Sequence, residues 1–264
     1  MSSRLPLSRI IMIFGMLFLY MPIVILVVYS FNASKLVTVW SEFSTHWYGT
    51  LWTDIELMNA TLHSLKIAAA SATISTILGT MAGIALSRFG PFAGRTLFTG
   101  MLAAPFIIPE VIIGFSLLLT FVAVEQIFGW PEKGLFTVIL AHSTIGIAYV
   151  AIIIQARLST FDMSLEEAAQ DLGAPPFKAF MVITLPIIAS SLIAGWLLTF
   201  TISLDDLVIA SFTSGPGSTT LPMLIYSRIR LGISPQINAL ASIMIGFVIS
   251  MVFVAYLISV RKDK

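Results

Sequence analysis

Apolar residues fall in six long blocks along this chain, separated by shorter polar stretches. The blocks cover residues 10–31, 65–87, 97–124, 134–155, 186–204 and 237–260. A bilayer crossing takes about 20 apolar residues at 1.5 Å of helix rise each, so every block is long enough to span. The pattern predicts an all-α membrane protein with six transmembrane helices, folded as one transmembrane domain over residues 1–264. The first block exceeds the apolar core of about 7–15 residues typical of a signal peptide, and no clear small-x-small cleavage site ends it. It reads as an uncleaved first span, with a cleaved signal as the alternative. The third block is interrupted by Pro105 and Pro109. The second carries Gly79-x-x-x-Gly83, a small-residue face suited to close helix packing.

Between the fourth and fifth blocks lies the one long amphipathic segment, residues 161–185. Ser164 followed three residues later by Glu167 has capping-box spacing. Helix is expected from Leu165 to Leu172. Gly173 suits the left-handed residue that ends it, and Pro175 and Pro176 block continuation while pre-setting the next start. A second short helix, Phe177 to Val182, is expected before Pro186 returns the chain to the bilayer. A rigid, polar-sided elbow on a membrane protein needs a soluble partner.

Composition agrees with this picture. The chain is 58% hydrophobic and 10% charged, with a mean hydropathy of +0.99, whereas soluble domains carry about 25% charged residues. There is no cysteine, which excludes disulfides, thiolate nucleophiles and cysteine metal sites. His46 and His63 lack metal-ligand partners at any familiar spacing. No phosphate-binding Gly-x-x-x-x-Gly-Lys-Ser/Thr loop occurs, so ATP-driven work would need ATP and Mg bound by another chain. No nucleophile–base pair suggests an enzyme, and nothing points to nucleic acid.

Charge gives the orientation. Six crossings put both termini on one side. That side holds nine basic residues: Arg4, Arg9, Arg88, Arg95, Arg157, Lys178, Arg261, Lys262 and Lys264. The other holds five: Lys35, Lys66, Lys133, Arg228 and Arg230. The positive-inside rule then places both termini and the elbow in the cytoplasm. The opposite loops carry Glu42, Asp54, Glu56, Glu125 and Glu132. The aromatic stretch with Trp40, Trp47, Tyr48 and Trp52 reads as rings at the membrane–water interface, or as part of a solute vestibule.

Three carboxylates lie where lipid is expected. A charge at bilayer depth costs roughly 2.5–3.5 kcal/mol on insertion scales, so it faces a cavity or a partner. Glu110 follows Pro109 inside the third block, and Asp205 and Asp206 adjoin the fifth. Consecutive helical residues point about 100° apart, so one aspartate is expected to face a path and the other to hold backbone or a neighbouring helix. Carboxylates without basic partners suit amines, and aromatic faces add cation–π attraction. Trp196, Tyr149 and Tyr226 are the candidate rings. The competing reading of each is packing or interfacial anchoring.

The elbow reads Glu166-Glu167-Ala168-Ala169-Gln170-Asp171-Leu172-Gly173, then nine residues, then Ile183-x-Leu185-Pro186. It resembles the EAA loop by which permeases of binding-protein-dependent ABC importers dock on their ATPase. Tyr29 to Asn32, Trp47-Tyr48, Pro109-Glu110, Gly195-Trp196, Ser203 to Asp206, Ser211-Phe212, Gly215 to Gly217, Leu221-Pro222 and Asn238 to Ala241 extend the likeness over nearly the whole chain. They resemble the permeases of bacterial polyamine (spermidine/putrescine) ABC importers, with the segment Asp205 to Phe212 nearest the putrescine type. In many permeases of that family Asp stands where Glu110 stands here.

The resemblance implies a type I (MetI-like) importer permease in the bacterial inner membrane, with no cofactor of its own. It implies a second homologous permease, two copies of a cytoplasmic ATPase and a periplasmic polyamine-binding protein as partners. It also implies ATPase coupling through Glu166, Glu167, Ala168, Ala169, Asp171, Gly173, Ile183, Leu185 and Pro186. Alternatives are a permease for another small solute and, in a different class, an ion-gradient-driven carrier using Glu110 as a proton relay. Such carriers often carry internal repeats, and no repeat is visible here.

Overall fold

The computed structural model describes residues 5–34, 39–231 and 235–262. Arg4, Lys35 and Lys264 of the charge count lie outside the described residues. Every regular element among the described residues is helical, apart from one isolated bridge between Asn32 and Phe43. In order come α1 (Leu5–Tyr29), α2 (His46–Leu51), α3 (Ile55–Arg88), α4 (Arg95–Ile107), α5 (Glu110–Phe128) and α6 (Leu135–Ser159). The remainder are α7 (Ser164–Asp171), α8 (Pro176–Ala179), a π-helical turn (Phe180–Thr184), α9 (Leu185–Asp205), α10 (Val208–Thr213), α11 (Leu221–Leu231) and α12 (Pro235–Lys262). Six of the described helical stretches are long and apolar enough to cross a membrane.

Three helix limits differ from expectation. Helix α3 starts at Ile55 rather than near Leu65, so Lys66 sits three turns inside it rather than in a loop. The third block is split. Ile108 is extended (ψ 130°), as the residue before a proline prefers, and Pro109 (φ −56°, ψ 137°) lets α5 start afresh at Glu110. The stretch fit to cross is therefore Glu110–Phe128, with α4 a separate shorter helix. The elbow's second helix does not stop at Val182 but runs on as Pro176–Asp205. Pro186 offers no N–H, and its ring crowds the carbonyl four residues back. The π turn absorbs this locally: the Leu185 N–H reaches Phe180 O, five residues back.

The chain forms two compact units. One comprises the residues up to Met58 with Ile225–Phe253, the other Asn59–Leu224 with the chain from Val254 on. In the first, the buried Trp47 indole donates to Asn32 O at 2.7 Å, and Tyr48 shares a 2.7 Å hydrogen bond with Ser30. These two rings are structural, while Trp40 and Trp52 are exposed. Arg228 pairs with Asp54 at 2.6 Å and Glu56 at 3.0 Å.

The second unit is built around α6, which contributes Val150, Ile154 and Leu158 to a core shared with Ile188 of α9. Its Val138 packs with Ile67 of α3 and Ala210 of α10, and its Ala141 with Phe121 of α5 and Ile209 of α10. Lipid tails are as apolar as these side chains, so van der Waals fit drives the association. The fit is tight where α3 crosses α6. A Cβ on Gly79 would lie 2.6 Å from Val150 Cβ, and one on Gly83 would lie 2.8 Å from Ala151 O. The expected small-residue face is thus a helix contact.

Candidate functional site

Helix α9 ends at Asp205, and Asp206 is extended (φ −66°, ψ 125°) before α10 begins. The two aspartates have different surroundings. Asp206 accepts the N–H groups of Ile209 at 3.3 Å and Ala210 at 2.8 Å, which anchors the start of α10. Its Oδ2 also lies 3.1 Å from Nε2 of His142, a buried residue of α6. A carboxylate only accepts, so Nε2 carries the hydrogen, and in the neutral ring Nδ1 accepts from Ser203 Oγ at 2.6 Å. Ser203 in turn accepts from Ser71 of α3 at 3.1 Å. One buried chain of hydrogen bonds thus ties α3, α6, α9 and the α9–α10 break. A cavity of about 20 Å³ beside it, lined by His142, Thr199, Ser203 and Asp206, has room for one water.

Asp205, by contrast, is exposed, and the charges of both Asp206 and Glu110 reach it. Glu110 is an exposed residue in the first turn of α5. One turn on, Gly114 packs against Phe212 and Ile209 of α10, which brings the start of α5 beside the break. Among the described residues, no Lys or Arg pairs with Glu110 or Asp205.

The three candidate rings have partners of their own. Trp196 lies nine residues before Asp205, half a turn round α9 at 100° per residue. Its indole donates to Thr73 Oγ1 at 3.1 Å, and its face stacks on Phe200 at 5.1 Å. Tyr149 meets Phe106 of α4 edge-on at 4.6 Å. Tyr226 belongs to the other unit and already has the Arg230 guanidinium 4.5 Å above its ring. Each ring has a packing partner within the chain.

In the elbow, Ser164 does not cap α7. Asp162 Oδ1 accepts the Ser164 N–H at 3.0 Å instead, and Met163 takes the cap position without a side-chain bond. The other end matches expectation. Gly173 has φ +90°, the Ala174 N–H reaches Ala169 O at 3.1 Å and the Gly173 N–H reaches Gln170 O at 2.8 Å. This pair of bonds satisfies the last carbonyls through a left-handed glycine.

The two glutamates part company. Glu167 is exposed, together with Ala168, Asp171, Gly173 and Pro186, while Ala169, Ile183 and Leu185 are half-buried. Glu166 is 6% exposed and turned inward. Arg88 Nη2 lies 2.7 Å from its Oε2 and Nη1 3.1 Å from its Oε1, and Thr184 Oγ1 donates to Oε2 at 2.7 Å. Burial pushes this carboxyl up, but the Thr184 and Arg88 hydrogen bonds and the Arg88 charge outweigh it and hold it below its ordinary range. Glu166 therefore leaves the group of elbow residues free to meet a partner. In its place stand Leu172, 90% exposed, and Phe177, 75% exposed.

His142, Arg88, Thr184, Leu172 and Phe177 were not singled out as functional from sequence. For His142 a signal existed: an ionisable residue inside an apolar block. Among the described residues, no three His, Asp or Glu side chains gather as a metal site.

Residues 75–263 match the family model described as binding-protein-dependent transport system inner membrane component. The chain belongs to that family. It is a multi-pass inner-membrane permease component, not an enzyme. The putrescine transport system permease protein PotI of Escherichia coli K12 is 53% identical over 262 residues, covering 99% of this chain and 93% of PotI. The spermidine/putrescine transport system permease protein PotC of the same strain is 38% identical over 94% of this chain and 91% of its own. Among solved structures, a bacterial ABC transporter that imports the acidic polysaccharide alginate aligns with a TM-score of 0.75 at 18% identity. That match covers 98% of this chain and 96% of the other. The all-helical permease fold is thus shared at low sequence identity.

Proposed function

We propose that this chain is one of two permease subunits of an ATP-driven importer for a polyamine, putrescine in particular. The observation that carries the reading is Asp205. It ends a 21-residue helix, lies exposed within reach of Glu110 and Asp206, and has no basic partner among the described residues. A helix C-terminus carries partial negative charge, so carboxylate and dipole together attract a cation. Glu110 supplies a second charge for the other end of a diamine. The names of the two curated relatives add the solute class.

In this reading the whole chain acts as one transmembrane domain, with both termini and the elbow in the cytoplasm. Glu167, Asp171, Leu172 and Phe177 meet an ATPase, two copies of which serve the two permeases and bind the ATP and Mg. A periplasmic binding protein delivers the amine. Asp206 is the structural member of the aspartate pair and Asp205 the solute-facing one.

The test is radiolabelled putrescine uptake into proteoliposomes holding this chain, its partner permease and the ATPase, with the binding protein outside. Uptake should require ATP and the binding protein, and Asp205→Asn should lower it at least tenfold, equivalent to about 1.4 kcal/mol of lost attraction. Uptake by Asp205→Asn at the unsubstituted rate would remove the carboxylate from the path. ATPase stimulation only by a binding protein loaded with some other solute would retire the polyamine.

A further inference from the structure

Arg88, Glu166 and Thr184 come from three elements: the last turn of α3, the first turn of α7 and the end of the π turn. Their closed triangle includes a two-pronged Arg–carboxylate pair, with Arg88 Nη2 also donating to Thr184 Oγ1 at 3.1 Å. The Phe161 ring lies 5.7 Å from Arg88 Cζ and helps cover the guanidinium. Such pairs fix orientation as well as distance, and burial spares them salt screening. Covalently, α7 connects onward only through the glycine turn. The triangle adds a direct, stiff connection to α3, whose sequence lies 78 residues away.

Helix α3 reaches the carboxylate site as well. Ser71, 17 residues before Arg88 and about 25 Å along the axis at 1.5 Å per residue, donates to Ser203 in the chain of hydrogen bonds that ends on Asp206. Between these ends, Gly79 and Gly83 hold α3 against the α6 backbone. The half of α3 from Ser71 to Arg88 is gripped at both limits and between them, so this half moves as a rod.

We propose that α3 is the rod linking the elbow to the carboxylates, clamped at Arg88 by Glu166 and Thr184 and at Ser71 by the His142–Asp206 network. Glu166 and Thr184 are thus positioning residues for coupling rather than contacts of the ATPase. The π turn beside Thr184 is where α9 flexes relative to the clamp, as π turns inside helices often mark functional hinges. This rests on the reading that the elbow docks on an ATPase.

The test uses the full complex. Thr184→Val keeps the shape and removes the hydroxyl, Thr184→Ser restores it, and Glu166→Gln removes the charge. Amine imported per ATP hydrolysed should fall about threefold in Thr184→Val and about tenfold in Glu166→Gln, in line with one neutral and one charge-assisted hydrogen bond. Thr184→Ser should recover most of the ratio, and the ATPase should still co-purify with each variant. An unchanged ratio overturns the clamp. So does loss of the ATPase from both Thr184→Val and Glu166→Gln, which would make them docking or folding residues.

A second readout does not depend on the solute. The chain has no native cysteine, so spin labels introduced before assembly with its partners attach to it only at Met81→Cys on α3 and Met163→Cys ahead of α7. Both sites are exposed. Their separation should stay constant through the ATP cycle with the clamp intact and spread in Glu166→Gln and Thr184→Val. Equal spread with and without Glu166 overturns the rod. If the unsubstituted complex imports no amine while this separation behaves as expected, the polyamine reading fails and the clamp stands.

Discussion

Replacing His142 with leucine probes the network at the α9–α10 break most directly. His142 gives Asp206 a hydrogen bond to a charged group, worth roughly 1.5–3 kcal/mol, and takes one from Ser203 worth roughly 0.5–1.5 kcal/mol. Both partners are mostly buried. Asp206 retains its two backbone donors, whereas the Ser203 hydroxyl loses its acceptor. Interhelical hydrogen bonds in membrane proteins run low, averaging about 0.6 kcal/mol in one well-studied case. The loss should therefore fall near 2 kcal/mol, about a 4–8 °C drop in midpoint for a protein of this size. Intrinsic tryptophan fluorescence of the purified complex on heating would read it, with uptake measured in parallel. His142→Gln should recover at least half of both, because its amide can donate to Asp206 and accept from Ser203. A leucine variant that melts and transports like the unsubstituted protein would show that the network pins nothing.

Three further outcomes follow from single sites. Gly146→Ala would put a Cβ 2.8 Å from Ser75 Cβ and 3.1 Å from Thr199 Cγ2; overpacking of roughly 1–3 kcal/mol should lower the yield of assembled complex in size-exclusion profiles. A Cβ on Gly173 would meet no neighbour, so the cost of Gly173→Ala, about 1–2 kcal/mol, is backbone strain in the left-handed region. The variant should lower uptake per ATP without destabilising the spans, as a melting curve alongside the coupling assay would reveal. Asp54 is held below its ordinary range, chiefly by the hydrogen bond from Arg228. A carboxyl with a lowered folded-state pKa stabilises fully above its unfolded value of about 3.9 and loses that stability as pH falls through the folded one. Acid unfolding followed by fluorescence should therefore be less steep below about pH 4 in Asp54→Asn, and an unchanged profile would dismiss this ion pair.

Period and punctuation carried most of the fold. Apolar blocks at bilayer length, Pro109 before a helix start and Gly173 at a helix stop are local signals, and each has a local physical cause. What stayed hidden was set by partners far along the chain. Glu166 and Glu167 differ by about 100° on one helix, and which of them turns inward depends on Arg88, 78 residues earlier. Ser164 had the spacing of a cap, but its own N–H, which Glu167 would reach back to in a capping box, is taken by Asp162 two residues ahead. Asp205 and Asp206 were separable in principle and not in practice, because the deciding group, His142, lies 64 residues from Asp206. Pro186 marked a helix start in sequence, yet a π turn carries the helix past it.

The helix ends bear on the solute-facing role proposed for Asp205. Glu110 sits in the first turn of α5, where the partial positive charge of a helix N-terminus favours it. Asp206 is consumed by two N–H groups and an imidazole. Asp205 alone stands at a helix C-terminus, opposed by the dipole and by two neighbouring carboxylates. A fold selected only for stability would place a neutral residue there, since neutralising it relieves roughly 0.3–1 kcal/mol of dipole repulsion. Asp205→Asn should therefore melt slightly higher than the unsubstituted protein even as it loses amine uptake. A variant that both melted lower and transported normally would make Asp205 a structural residue and shift the cation-attracting role to Glu110.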